Sequence, residues 1–135
     1  MDEEGRKNED ADGLRFRLAI ERSSDTIFMT APDGTITYVN PAFEKLYGFT
    51  SVEAVGKTPR LLKSGTQDPE FYEQLWAKLL AKEVVPVELI NKAKDGRLVH
   101  VEASANPILD EHGTIIGFLA ITRDITERRQ IEERL

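Results

Sequence analysis

The sequence predicts an α+β domain, and three observations point to this class. Two runs rich in β-branched and aromatic residues lie near the start of the chain, and three more lie toward its end. Helical patterns occupy the stretch between the two groups. Within each group the strands are joined by short polar turns, which pair neighbouring strands antiparallel. We therefore expect a five-stranded antiparallel sheet with short helices over one face.

The N-terminal segment is expected to hold an arm and a flanking helix, followed by a hairpin. Residues 1–13 are almost wholly polar and bury too little surface to order themselves, so we expect a flexible arm or linker. Residues 14–24 place Leu14, Leu18 and neighbouring apolar side chains at helical spacing. Two β-rich runs then flank the turn signal PDG at residues 32–34, which predicts a hairpin.

The middle of the chain predicts several short helices and one longer helix. Asn40 before Pro41 is a helix start, and the stretch PAFEKLY should end at Gly48. Residues 50–68 contain short helical turns broken by glycine and proline. Asp68 should begin a longer helix, PEFYEQLWAKLLAKE, whose apolar positions recur at helical spacing.

Three strands follow the long helix and differ in which faces are apolar. The run VVPVELINKA meets RLVHVEASANPIL through the turn KDG at residues 94–96. In the second run Val99, Val101 and the two alanines after them share one apolar face, and the side chains on this face become smaller toward the end of the strand. Small side chains facing the core leave room for bulky neighbouring side chains or for a ligand.

The last strand, TIIGFLAITRDIT, is apolar on both faces. Phe118 and Thr122 belong to one face, together with Ile116 and Ala120, while Ile115, Leu119 and Ile121 belong to the other. A strand of this kind needs cover on both sides. The second cover would be a second copy of the protein or the helix at residues 14–24; edge packing with partial exposure is the alternative. The homodimer reading assigns Leu14, Leu18, Ile115, Leu119 and Ile121 to the interface.

The final stretch turns from strand to charged helix within a few residues. Thr126 is a reasonable N-cap, and Asp124 with Thr126 would fix the joint. Ile131 and Leu135 continue a three- and four-residue spacing from Arg128, which is the start of a coiled-coil seam; a frayed helical end is the alternative. We expect residues 14–126 to form the domain with its flanking helix, and residues 127–135 to begin a connector helix.

Composition excludes several classes of function. The net charge of −6 in 135 residues offers no basic surface for nucleic acid. The absence of cysteine excludes disulfides, thiolate metal sites and thiol catalysis. No apolar run approaches a membrane span and no signal peptide opens the chain, so we expect a cytoplasmic location without direct membrane contact. No catalytic constellation is present, and the scattered carboxylates Glu83, Glu88 and Glu102 are interpreted as solvated, so the domain itself is not expected to be an enzyme.

Two stretches resemble a known family. DTIFMTAPDGTITYVNPAFEKLYGFTSVEAVGK is similar to the opening half of a PAS domain, and NKAKDGRLVHVEASANPILDEHGTIIGFLAITRDITERRQIEERL to its closing half, the PAC motif. The resemblance implies the PAS fold, a small pocket, and a sensory and dimerising module in a larger signal-transduction protein such as the histidine kinase of a two-component system. A C-terminal output domain would then be a partner, with Asp124 and Thr126 relaying the signal. A ligand-free dimerisation or docking module is the alternative.

The resemblance also allows cofactors to be tested residue by residue. Photoactive LOV domains, a PAS branch, carry a reactive cysteine where this chain has Pro59, which excludes their photochemistry. Haem sensors present a histidine from the long middle helix, which has none here, whereas His100 and His112 fall on a strand face and in a turn. We therefore do not expect haem.

Flavin-binding redox sensors of the PAS family share part of this pattern. The stretch from Gly56 to Gly96 keeps Trp76 and Asn91 but loses a second tryptophan and a glycine of that branch. The candidate pocket residues are Asn91, Trp76, Val101 and Thr122, the last two at positions of LOV flavin contacts. FAD or FMN therefore stays open, with an empty pocket or a small molecule favoured. Asn91 can equally be a structural cap, and Trp76 a core side chain.

Overall fold

The computed structural model describes residues 3–135, and its centre is one antiparallel sheet. The strands are β1 (Thr26–Thr30), β2 (Ile36–Val39), β3 (Val85–Lys92), β4 (Leu98–Leu109) and β5 (Ile115–Asp124). Their order across the sheet is β2-β1-β5-β4-β3, and all neighbours are antiparallel. The predicted α+β class and five-stranded sheet are confirmed.

Five helices accompany the sheet within residues 3–135. They are α1 (Glu3–Arg22), α2 (Pro41–Tyr47), α3 (Ser51–Ala54), α4 (Pro69–Leu80) and α5 (Thr126–Arg134), with a 3₁₀ turn at Pro59–Leu62. The predicted starts of α2 and α4 are confirmed, because the side chains of Asn40 and Asp68 each accept the backbone N–H three residues on. Gly48 ends α2 in the left-handed conformation, with φ of 80°.

The core on the helical face of the sheet is divided into two clusters. The larger one joins α2 to β2 and to the β3–β4 end of the sheet, and its largest side chains include Phe43, Tyr47 and Val99. The smaller one joins α4 to the sheet through Leu79, Val85 and Phe118. The predicted inner face of β4 is confirmed at its start, since Val99 and Val101 are 2% and 0% exposed.

The pairing of β4 with β5 contains a bulge that corrects one prediction. Ile108 pairs with Gly117, but Leu109 pairs with Ile115, so one residue of β5 is skipped. The extra residue reverses the alternation of side chains. Ile115 consequently packs beside the Leu79–Phe118 cluster on the helical face, and Ile116 is 53% exposed. The assignment of Ile115 to the outer face was wrong.

The N-terminal segment is helical further back than predicted. Helix α1 begins at Glu3, so the described part of the expected arm, residues 3–13, is helix rather than flexible chain; residues 1 and 2 lie outside the described residues. None of the described residues of α1 is buried, and Leu14 and Leu18 are 48% and 37% exposed. This helix therefore does not provide the cover that the outer face of its own sheet was expected to need.

Candidate functional site

A buried polar cluster lies between α2 and the sheet. Its members are Tyr47 at the end of α2, Thr26 on β1, Asn91 on β3 and Thr122 on β5, and none of them is more than 7% exposed. Asn91 Nδ2 donates to Tyr47 Oη at 3.1 Å. The hydroxyls of Thr26 and Thr122 form a hydrogen bond with each other across the β1–β5 pair. Side chains from three strands and one helix thus converge on a single polar centre.

Tyr47 is the middle of this cluster and is held from several sides. Its ring meets the ring of Phe43 edge to face, with 5.0 Å between centroids. Its backbone oxygen accepts from the N–H of Lys94 at 2.8 Å, which ties the end of α2 to the β3–β4 turn. Burial raises the pKa of the Tyr47 phenol, and hydrogen bonding from Thr122, Asn91 and Thr26 opposes that rise. The phenol is therefore neutral and well partnered.

The structure brings together three of the four pocket residues predicted from sequence. Asn91 and Thr122 belong to the polar cluster, and Val101 belongs to the larger core cluster on the same face. Trp76 lies elsewhere, beside the smaller core cluster, 39% exposed and with its ring 4.9 Å from that of Phe118. Sequence reasoning missed Tyr47, although its position four residues after Phe43 places both aromatics on one face of α2.

The junction of β5 with α5 is fixed by short hydrogen bonds. The N–H of Ile125 donates to the His100 oxygen at 2.8 Å, and the N–H of His100 donates to Thr126 Oγ1 at 3.0 Å. Asp124 Oδ1 accepts from the N–H of Thr126 at 2.9 Å. The N-cap position is Ile125, so the expectation of Thr126 as N-cap was wrong. The Thr126 hydroxyl instead attaches the first turn of α5 to β4.

A second attachment of α5 to the sheet was missed from sequence. Arg128 lies 3.4 Å from a carboxylate oxygen of Glu88 and 3.4 Å from one of Glu102. These two glutamates face each other directly across the β3–β4 pair. Like charges in that position destabilise a sheet, and the single positive charge of Arg128 offsets part of their repulsion. Their matching positions on adjacent strands were the signal available in the sequence.

The outer face of the sheet carries an open groove of about 450 Å³. Three carboxylates and one arginine share its lining with apolar atoms; the charged groups are Asp25, Glu88, Glu102 and Arg123. The predicted interface residue Ile121 also lines the groove, and Leu119 is partly buried on the same side of β5. The two remaining outer-face residues of the predicted interface are thus on one surface, next to a row of charges.

Metal and membrane features were searched across residues 3–135. In that range no group of three or more His, Asp and Glu side chains could hold a metal ion. None of the helices in the same range has the length and apolar character needed to cross a bilayer.

Comparison with known proteins identifies relatives of this fold. A family model described as the PAS fold matches residues 20–130. The chain is 36% identical over 123 residues to the nitrogen fixation regulatory protein of Klebsiella pneumoniae, covering 91% of this chain and 25% of that protein. It is 36% identical over 105 residues to blue-light-activated histidine kinase 1 of Erythrobacter litoralis (strain HTCC2594), covering 75% of this chain and 29% of that protein.

A solved structure agrees with these sequence matches. The chain resembles an RNA-binding light-oxygen-voltage receptor with a TM-score of 0.80 and 26% identity, over 90% of this chain and 36% of that one. The chain spans only 25% and 29% of the length of the two curated relatives. The family match covers most of the chain, from the end of α1 into α5. This chain belongs to the PAS-fold family.

Proposed function

We propose that this chain is a sensory and dimerising module of a larger signal-transduction protein, a sensor histidine kinase. The observation that carries the proposal is the junction at residues 124–126, where α5 leaves the sheet while attached to β4 by backbone and hydroxyl hydrogen bonds. Because α5 is continuous with β5 and hydrogen-bonded to β4, a shift of β4 against β5 would move the first turn of α5 or strain these hydrogen bonds. The domain itself performs no chemistry in this scheme; it changes the position of a connector that belongs to an output domain.

The relay would use Asp124 and Thr126 as a hinge and Arg128 as a clamp. Each ion pair of Arg128 is about half exposed, so each contributes roughly 0–1 kcal/mol to holding the helix. Ion pairs this weak hold α5 against the sheet at rest and break under a modest strain. Such a balance suits a relay, because elements that move in signalling come from the less stable parts of a fold.

The test uses the full-length protein that carries this segment. Thr126→Val removes the hydroxyl that accepts from His100 and should change the autophosphorylation rate severalfold. Thr37→Val is the matched control, since Thr37 also bonds a backbone group through its hydroxyl, at 3.2 Å to the Met29 oxygen, but lies on β2. Equal rates in wild type, both variants and a protein lacking the domain would contradict a sensory role.

Dimerisation is the second part of the proposal. The support is the outer sheet face, where Leu119 and Ile121 lie beside an open groove, together with the exposed Leu14 and Leu18 of α1. A second copy that covers both surfaces would bury them. Leu119→Asp and Leu18→Asp should each shift the mass in light scattering toward monomer. Val52→Asp is the control, because Val52 is 91% exposed on α3; an unchanged mass for both interface variants would refute this interface.

Two alternatives differ in the state of the interior. A ligand-free docking module is favoured by the fully buried, internally bonded Tyr47. A flavin-binding sensor is favoured by similarity to a blue-light-activated kinase and a light-oxygen-voltage receptor. In either case a cysteinyl–flavin adduct is not proposed, since the chain has no cysteine. An absorbance scan of the purified protein separates the alternatives, because a bound flavin absorbs visible light.

A further inference from the structure

We propose that the Tyr47 side chain fills the space between α2 and the sheet where a ligand would otherwise bind. Tyr47 is then the residue that determines which molecules this interior site can accept. The proposal concerns only the interior of the domain. The role of Tyr47 does not depend on dimerisation, on the output domain or on the relay through α5.

The Tyr47 phenol lies at the polar centre of the interior. Tyr47 is 0% exposed and is among the largest fully buried side chains of the protein. Its hydroxyl lies next to Asn91 and Thr122, the two polar residues that reach the inner face from β3 and β5. These are the side chains that a ring ligand with a polar edge would need. The phenol therefore stands where the polar edge of such a ligand would have to be.

The second step is that the polar groups are already partnered. Asn91 Nδ2 is engaged by Tyr47 Oη at 3.1 Å. The Thr122 hydroxyl is bonded to that of Thr26 on the neighbouring strand. A ligand that entered would have to break these hydrogen bonds and replace them, and a buried polar group left unpaired is costly. A ligand is therefore kept out by the existing hydrogen bonds as well as by the space that the phenol fills.

The third step is that the tyrosine cannot easily rotate away. It is the last residue of α2, its oxygen is tied to Lys94, and the chain turns at Gly48 immediately after it. The Phe43 ring closes one side of the phenol. With its backbone held and its side chain 0% exposed, Tyr47 can leave this position only if the side chains packed around its ring also move.

The proposal identifies the class of ligand that the site would accept if the phenol were removed. Tyr47→Ala should leave a ring-sized space lined by apolar side chains, with Asn91 and Thr122 exposed to it. Engineered apolar cavities of about 150 Å³ bind benzene-sized molecules. Here the polar groups add a preference for a hydroxyl, so the variant should bind phenol, which reproduces the ring and hydroxyl that the substitution deletes.

The experiment measures thermal unfolding with added phenol or benzene. Phenol at saturating concentration should raise the Tm of Tyr47→Ala by at least about 3 °C and leave wild type unchanged. Benzene, which has the same ring without the hydroxyl, should raise it less. No response to phenol in a folded Tyr47→Ala variant would overturn the proposal, and so would an equal response to benzene.

A measurement on wild type keeps the test decisive if Tyr47→Ala does not fold. FMN and FAD are titrated into the wild-type protein and into Tyr47→Phe, which keeps the ring and removes only the hydroxyl. The proposal expects no stoichiometric binding to either protein, because the ring fills the site in both. A wild-type protein that purifies with flavin, or binds it one to one, overturns the proposal while leaving the relay through α5 intact.

Discussion

Asn40 is the side chain whose removal should damage this domain most for its size. Its Oδ1 accepts from the N–H of Ile27 at 2.9 Å and from that of Phe43 at 3.1 Å. Its Nδ2 donates to the oxygens of Ile20 at 3.0 Å and Asp25 at 3.1 Å. One fully buried amide thus joins the end of α1, the start of β1 and the first turn of α2.

The cost of Asn40→Ala can be worked out from these contacts. Loss of the N-cap of α2 costs about 1 kcal/mol. The N–H of Ile27, a residue 7% exposed, would lose its partner, and an unsatisfied buried donor costs about 1–3 kcal/mol. We therefore expect a decrease of about 3 kcal/mol in the free energy of unfolding, measured by urea denaturation.

Asp68→Ala is the matched control for this prediction. Asp68 also caps a helix, since its Oδ1 accepts from the N–H of Phe71 at 3.2 Å, but the site is exposed. Its loss should cost only the cap, about 1 kcal/mol. If both variants lost the same free energy, the additional hydrogen bonds of Asn40 would contribute nothing, and the reasoning from its burial would be refuted.

Three further predictions concern strain and titration. Gly117→Ala should cost at least about 1–3 kcal/mol in urea denaturation, because its Cβ would overlap the backbone oxygen of Thr30; a neutral effect would contradict this. Hydrogen bonds from Lys94 and from the N–H of Thr50 lower the pKa of Glu53 from 4.5 to about 2. The stability that the ionised Glu53 contributes is therefore lost as pH falls from 4.5 to about 2. Lys94→Met should raise the pKa of Glu53 in an NMR titration. Burial raises the pKa of Tyr47 above 10.0, so the contribution of the neutral phenol to the free energy of unfolding is lost as pH rises above 10.0. Tyr47→Phe should therefore lose less stability at alkaline pH than wild type. Identical dependence of the unfolding free energy on pH in the two proteins would argue against this.

Features decided by neighbours in the chain were predictable from the sequence. The hairpin turns, the caps Asn40 and Asp68, and the stop at Gly48 each depend on a few adjacent residues. The apolar face at Val99 and Val101 follows from strand alternation alone. The five strands and the helices α2 and α4 could therefore be predicted before any contact was known.

Features decided by distant contacts were not predictable in the same way. The bulge that turns Ile115 inward depends on how β5 meets Leu109 of β4. Tyr47 reaches Asn91 across 44 residues, and Arg128 reaches Glu88 across 40. Such pairs leave no periodic signal in one sequence. The helix at residues 3–13 was missed for another reason, because a polar helix without a buried face lacks the apolar stripe that predicts helices.

The interior cluster and the connector share one strand, which gives a route between them. Thr122 of the cluster lies two residues before Asp124 of the junction, about 7 Å along β5. A displacement at Thr122 is therefore carried to α5 unless the intervening backbone bends. Tyr47→Phe should then speed hydrogen exchange in α5. Tyr38→Phe is the control, because the buried Tyr38 hydroxyl has no hydrogen-bond partner within residues 3–135; equal exchange in both variants would show that cluster and connector are uncoupled.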